Sequence, residues 1–489
     1  MLEWVILFPI LAAVACLLLR HHPSAVEATA IAGALLSLGA LILSISPSDL
    51  AARPVSAFFG ILYLDPLSLL FTLATSTIGV FVFAYSRGYI RAEIKEGVIQ
   101  KGNLWIYYVL CLLFLSSMLI ATLASDLLVL WAAVEATTLT SVFLISMYGT
   151  KESVEAAWKY LLICSLSITL ALVGLLVLGY GLQQAGQPEG FAWQAVAASA
   201  HLINPLYLKI AIAFIFVGYG TKVGLVPLHV WLPDAHSQAP TPVSAFLSGV
   251  LLNAALYAIL RVYPIAAANP QAYSFLSGLF LLFGLLSLAL ASLRLYSQDN
   301  YKRLLAYSSI ENMGIIALGI GIGGPLGLMA ALFHTVSHSL IKPLAFLYGG
   351  IITQAYGTKE ILKISGISQA LPGIGQLFVL INIGIAGSLP FGTFISELIL
   401  LAAALSSGNF LIAVLLVLFT TIAFGAFLFK SSRMAFGPVS GPANHHLPDL
   451  LTKLSVWGLF ALAVICCLLA PLVIASLVNP AVSVLLGGN

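Results

Sequence analysis

Apolar runs long enough to cross a bilayer recur from one end of this chain to the other, and that recurrence restricts the possible folds more than any other feature. A helix of about 20 apolar residues spans the hydrocarbon core, and inside lipid only helices or closed barrels satisfy the backbone. The runs lie near 2–20, 26–45, 62–85, 104–122, 126–148, 154–180, 206–225, 241–262, 273–293, 303–321, 326–350, 371–406, 409–430 and 453–477. Of 489 residues, 61% are hydrophobic and 8% charged, against about 25% charged in a soluble domain. The expected fold is therefore an all-α polytopic membrane protein of about fourteen transmembrane helices. No stretch is polar enough for a soluble domain, and none is low-complexity. The first run opens with Glu3 and has Arg20 after it, so it reads as a first membrane helix and not as a signal peptide.

The net charge of +3 matters less than where the cations fall. They cluster in alternate loops: Arg20; Arg87, Arg91, Lys95 and Lys101; Lys151; Arg294, Lys302 and Arg303; Lys359 and Lys363; Lys430, Arg433 and Lys453. The intervening loops carry little beyond Arg53 and Arg261. The positive-inside rule places the basic loops in the cytoplasm and both termini outside, in a cell membrane. Charge spread over short loops does not make a nucleic-acid surface. The five cysteines lie in apolar runs with neither zinc nor iron–sulfur spacing, so no redox centre or metal is expected on this chain.

Two runs are interrupted alike. Gly218, Gly220, Gly224 and Pro227 surround Lys222, and Gly384, Gly387, Pro390 and Gly392 precede Glu397. Paired broken helices point to an inverted-repeat transporter with a site near mid-membrane. The reading divides the chain into helices 1–3 (1–103), two inverted five-helix repeats (104–262 and 263–430) and a last helix (431–489). Trp131-Ala-Ala-Val-Glu135 rhymes with Tyr307-Ser-Ser-Ile-Glu311, and Lys159 with Lys342. Residues 190–201 read as an interfacial helix between the halves.

Ionisable residues inside lipid are costly and are usually functional. Lys222 borders a Pro break; the bland alternative is a lysine snorkelling to the interface. Glu135 sits mid-helix beside Thr137 and Thr138, and Lys159 is its expected ion-pair partner, either as a switchable pair or as a purely structural one. His334, His338 and Lys342 follow i, i+4, i+8 spacing and share one helix face. That stripe reads as a proton relay, since imidazole titrates near neutral pH; helix packing is the alternative, and no zinc-protease pattern accompanies it. Glu311, Asn312 and Glu397 supply polar groups to the second half, while His229, Asp234 and His236 flank the first break as proton carriers or as a loop-stabilising cluster.

The run Gly220-Thr-Lys-Val-Gly-Leu-Val-Pro-Leu-His-Val-Trp-Leu-Pro-Asp-Ala-His-Ser-Gln-Ala-Pro-Thr-Pro-Val-Ser-Ala245 resembles the hallmark of antiporter-like subunits of complex I, Mrp antiporters and energy-converting hydrogenases. Leu304–Ser309, His338–Leu347 and Phe394–Glu397 resemble the family too. Trp131–Thr140 and Glu155–Tyr160 most resemble component F of hydrogenase-4-type complexes. The resemblance implies proton translocation coupled to partner subunits that carry iron–sulfur clusters and nickel–iron or flavin, with no cofactor on this chain. It leaves sodium/proton exchange open as a second function. The large complex I paralogue ends in a long lateral helix for which a chain stopping at Asn489 has no room. Its relatives usually place a Lys in the helix after the long motif, where this sequence has Asn253. Water held by Asn253 and His334 then substitutes, or the relay differs.

Overall fold

The computed structural model describes residues 1–45, 54–187, 190–371, 373–439 and 448–487. Arg53 and Asn489, which entered the sequence reading, lie outside the described residues. The chain begins with α1 (Leu2–Leu18), α2 (Pro23–Ser44), a hairpin of β1 (Val55–Ala57) and β2 (Leu62–Leu64), and α3 (Pro66–Lys95). Next come α4 (Leu104–Leu123), α5 (Leu127–Ile145), α6 (Lys151–Gln184), α7 (Trp193–Ser199) and α8 (Pro205–Val223). After the first break follow α9 (Trp231–Gln238), α10 (Thr241–Phe246), a π turn (Leu247–Leu251) and α11 (Leu252–Ala267). The second half is α12 (Pro270–Tyr296), α13 (Tyr301–Ile322), α14 (Gly324–Tyr356), α15 (Ile367–Ala370), α16 (Gly375–Ile385), α17 (Gly392–Ser406) and α18 (Phe410–Ala435). The bundle closes with α19 (Leu450–Leu468), α20 (Ala470–Val473) and α21 (Asn479–Leu485).

Eleven of these segments are long and apolar enough to cross a membrane, and four shorter apolar helices accompany them among the described residues. Apart from residues 62–64, the apolar runs of the sequence fall mainly on helices, several of them broken into two or more pieces. The all-α expectation needs one correction. Residues 62–64, assigned to the third helix, pair antiparallel with 55–57. The helix starts later because Asp65 caps it: its carboxylate accepts from Ser68 N at 2.7 Å, Ser68 Oγ accepts from Asp65 N, and Pro66 opens the first turn. The interfacial stretch contains α7 and a short 3-10 turn, Ala200–Leu202.

Both breaks read Gly-x-x-Pro. Gly224 (φ +84°) ends α8 and Gly387 (φ +76°) follows α16, each in the left-handed region that favours glycine. Cis peptide bonds precede Pro227 and Pro390. Side chains satisfy several backbone groups near the breaks: Ser287 Oγ accepts from Val226 N (2.8 Å), Trp231 Nε1 donates to Thr221 O (2.8 Å), and Thr393 Oγ1 donates to Gly384 O (2.8 Å).

Close backbone contact aims α8. A Cβ on Gly218 would collide with the Ser167 carbonyl and Ala171 of α6, and one on Gly174 with the Ala211 carbonyl and Ile215 of α8. Small residues let membrane helices touch in this way, and Lys222 lies one turn beyond Gly218 on α8. Gly218→Leu should therefore push α8 off α6 and destabilise the protein by about 1–3 kcal/mol. Thermal unfolding of the purified protein checks this; an unchanged midpoint would contradict the contact.

The basic loops gather at one end of the bundle. Arg87 and Arg91 pair with the buried Glu27, Lys159 and Arg303 both reach Asp234, Lys430 donates to Gln298 O, and Asn300 bridges to Glu360. Lys302, expected in a loop, instead occupies the first turns of α13 and is 1% exposed. Arg261, at the opposite end, is fully inside. It makes a two-pronged salt bridge to Asp65 (2.7 Å on each arm) and lies 4.1 Å from the Trp193 ring.

Candidate functional site

Lys222 lies in the last turn of α8 with its side chain wholly inside the bundle. Its ammonium donates to Val134 O at 2.6 Å and to Thr138 Oγ1 at 2.5 Å, both on α5. The amine is therefore not snorkelling. Thr138 in turn donates to Glu135 Oε2 (3.3 Å), and Ser165 of α6 donates to Glu135 Oε1 (2.7 Å). Glu135 is half-buried, near the lateral surface where Leu139, Phe143 and Leu162 are exposed. The result is a carboxylate and an ammonium joined through one hydroxyl.

The expected Glu135–Lys159 pair is not formed. Lys159 pairs with Glu155 (2.6 Å) and Asp234 (3.4 Å) at the basic end and is 48% exposed. Helix register explains the difference. In the α5–α6 hairpin, Ser141 faces Tyr160, Glu135 faces Ser165, and Trp131 Nε1 donates to Ile168 O. Lys159 is thus level with Ser141, six residues or about 9 Å along the helix from the level of Glu135. Asp234 belongs to the same rim network, bridging Lys159 and Arg303, and does not reach the buried groups.

The second cluster runs along α14. His334, His338 and Lys342 are all buried there. His334 Nδ1 lies 2.9 Å from Ser396 Oγ on α17, and its Nε2 lies 3.0 Å from Asn312 Oδ1 on α13. An amide oxygen can only accept, so His334 donates from Nε2. Asn312 donates to Ser308 O (2.7 Å), and the Lys342 ammonium donates to Ser308 Oγ. A polar column thus passes from Ser396 through His334, Asn312 and Ser308 to Lys342. Glu311 lies beside it within coulombic reach of both Lys342 and Glu397. Glu397 folds its carboxylate against the bare Cα of Gly387, where any larger residue would displace it.

Asn253 lies buried on α11 opposite Ser339 of α14. Its amide donates to Gly249 O (2.8 Å) and to Ser339 Oγ (2.7 Å), while both His334 nitrogens are occupied elsewhere. Several buried polar atoms have no protein partner among the described residues: both nitrogens of His236 and of His338, Nδ1 of His229, Oδ1 of Asn253 and Oε2 of Glu311. Buried polar groups are normally satisfied; unpartnered atoms also occur away from these clusters, at Ser76, Tyr108 and Tyr219 among others. Helices α10 and α11 lie between the clusters, and Ser248 in the π turn that joins them is 2.7 Å from Ser309.

Thr138, Ser165, Ser308 and Ser396 connect the ionisable groups, yet nothing in their local sequence distinguishes them from hydroxyls that bond back to their own helix. All five cysteines are free and buried. Among the described residues no three His, Cys, Asp or Glu groups converge to hold a metal.

The fold and these buried groups define a polytopic membrane protein with ionisable clusters at paired helix breaks. Residues 124–423 match the family described as NADH:quinone oxidoreductase/Mrp antiporter, TM, and the chain belongs to that family. It is 38% identical to a hydrogenase-4 component F homolog of Methylacidiphilum infernorum over 80% of this chain and 82% of that protein. It is 32% identical to Na(+)/H(+) antiporter subunit A1 of Staphylococcus haemolyticus over 87% of this chain, spanning only 54% of that longer protein. Among solved structures, a chain of the archaeal membrane-bound sulfane sulfur reductase shares the fold with TM-score 0.87 and 22% identity over 99% of this chain and 97% of that one. The corresponding values are 0.84 and 20% for the Mrp complex of Dietzia sp., over 98% and 97% of the two chains.

Proposed function

We propose that this chain is the proton-translocating membrane subunit of a redox-driven complex of hydrogenase-4 or complex I type. The observation that carries the reading is the Lys222 ammonium, held inside the bundle at a broken helix and joined through Thr138 to Glu135. The second half repeats the theme with Lys342, Glu311 and Glu397 around the break at Gly387. Two inverted repeats, 104–262 and 263–430, within a fourteen-helix bundle account for the matching Gly-x-x-Pro breaks. The basic end is taken as cytoplasmic, with both termini on the other side.

In this mechanism Glu135 and Thr138 govern the proton on Lys222. Water along α10 and α11 carries it past Asn253 to His338, and the column of Lys342, His334 and Glu311 passes it to Glu397 for release. His229 lines the first break. Lys159 and Asp234 stand outside the path, as rim ion pairs. Each proton moved against 100 mV costs about 2.3 kcal/mol, and partner subunits bearing iron–sulfur clusters with nickel–iron or flavin would supply that energy.

Kinship with Na(+)/H(+) antiporter subunits favours a second reading, sodium/proton exchange in an Mrp-like assembly. The complex reconstituted in vesicles separates the two: donor-driven, sodium-independent acidification supports the first, and a sodium-driven pH change without donor supports the second. A passive membrane anchor for a soluble redox module is the third reading. It requires coupling to survive neutralisation of Glu135, Lys222 and Glu397. Glu397→Gln should lower proton release at least about tenfold, read as acidification per electron transferred; full coupling would remove Glu397 from the path.

A further inference from the structure

A second set of buried ionisable groups sits at the basic end, between the aqueous phase and Lys342. It surrounds residues 236–241, the end of α9, the Ala239-Pro240 link and the start of α10. Lys302 donates to Ala239 O at 2.5 Å, and Lys359 donates to Ser237 O at 3.0 Å while lying 5.9 Å from the Tyr148 ring. Thr241 Oγ1 donates to Tyr89 Oη (3.3 Å), which is 3.1 Å from Tyr148 Oη. Glu93, in the last turn of α3, is 6% exposed, and Tyr89, Tyr148 and Gln354 are its polar neighbours. Glu96, Lys302 and Lys359 are the charged groups facing it. His236 is wholly buried, stacks on Phe346 at 4.9 Å, and has neither ring nitrogen hydrogen-bonded among the described residues. Lys302 faces it from α13, and Lys342 and His338 face it from α14.

Stability does not call for this arrangement. A buried charge is costly even when paired, and a neutral amide at 302 could satisfy the Ala239 carbonyl equally well. A histidine used only for packing would not leave two ring nitrogens without partners.

We propose that Glu93 and His236 form the proton-uptake step of the relay at the basic end, with Lys302 and Lys359 as positioning residues that pin the α9–α10 link and repel metal cations. The inference rests on the proton-translocating reading above. A proton from water binds the Glu93 carboxylate. It passes by way of the Tyr89 and Thr241 hydroxyls and intervening water to one nitrogen of His236, restoring the carboxylate. His236 then gives up the proton on its other nitrogen to the water along α10 and α11 that reloads Lys222, and returns to neutral imidazole. No oxidant or leaving group is involved. Charge repulsion at the mouth hinders a hydrated metal ion, whereas a proton crosses by exchange between fixed groups.

The test uses the intact complex in inverted membrane vesicles, with donor-driven proton uptake measured against outer pH. Glu93→Gln and His236→Gln should each lower uptake about tenfold at pH 8, where protons are scarce, and by less than about twofold at pH 6. A purely structural defect would lower both alike. Tyr89→Phe, which removes only a hydroxyl, should reproduce the pH-dependent loss even where Glu93→Gln fails to assemble. Lys302→Gln should allow sodium-22 uptake that the unsubstituted complex does not show. Wild-type pH profiles in these variants, alongside lost uptake in Lys222→Met, would overturn this inference and leave the parent reading standing. Undiminished uptake in Lys222→Met would overturn both.

Discussion

Lys222→Met should reduce proton translocation by about a hundredfold or more, equivalent to about 2.7 kcal/mol, while the bundle still assembles. The ammonium donates to Val134 O and Thr138 Oγ1, and Thr138 is the bridge to Glu135. Methionine fills a similar volume without charge, so it removes the ionisable amine without opening a cavity. Lys222→Arg is the sharper companion. Arginine keeps the positive charge but does not give up its proton in proteins, so it too should abolish translocation if the amine exchanges a proton. Donor-driven acidification of reconstituted vesicles measures both. Normal pumping by the arginine variant would show that residue 222 supplies a fixed charge only.

The largest effect on stability should come from Arg261→Met. Arg261 and Asp65 are both fully inside the protein, and each arm of the guanidinium holds one carboxylate oxygen at 2.7 Å. Removing one partner leaves a buried, uncompensated charge and costs about 3–5 kcal/mol. The Asp65 carboxylate also caps α3 through Ser68 N, so the loss should spread to the start of that helix. Adding Asp65→Asn to Arg261→Met should recover most of the stability, since asparagine is neutral and still caps. Thermal unfolding of the purified single and double variants provides the check; a double variant no more stable than Arg261→Met would mean that packing against Trp193, not charge, dominates.

Lys222, His334, His338, Lys342 and Glu397 could be picked from the chain because each interrupts an apolar run, and a charge within such a run needs a reason. Their partners could not. Thr138, Ser165, Ser308 and Ser396 are ordinary helix hydroxyls whose role depends on which helix lies opposite. Lys159 shows the same limit from the other side. A lysine in the helix after Glu135 is a plausible partner by type, but the turn between α5 and α6 sets a register that places Ser165 there instead. Lys302 reads as a loop cation because it follows a polar stretch, and only the packing of α9 and α10 over it takes it out of water.

The recurring apolar runs, the alternation of basic loops and the two Gly-x-x-Pro interruptions are written in the chain because each depends on local composition and backbone preference. The tertiary structure decided which groups meet: Glu135 with Lys222 through Thr138, His334 with Asn312 and Ser396, Arg261 with Asp65. Such pairings depend on helix register, crossing and rotation, and these follow from side-chain packing between segments far apart in sequence.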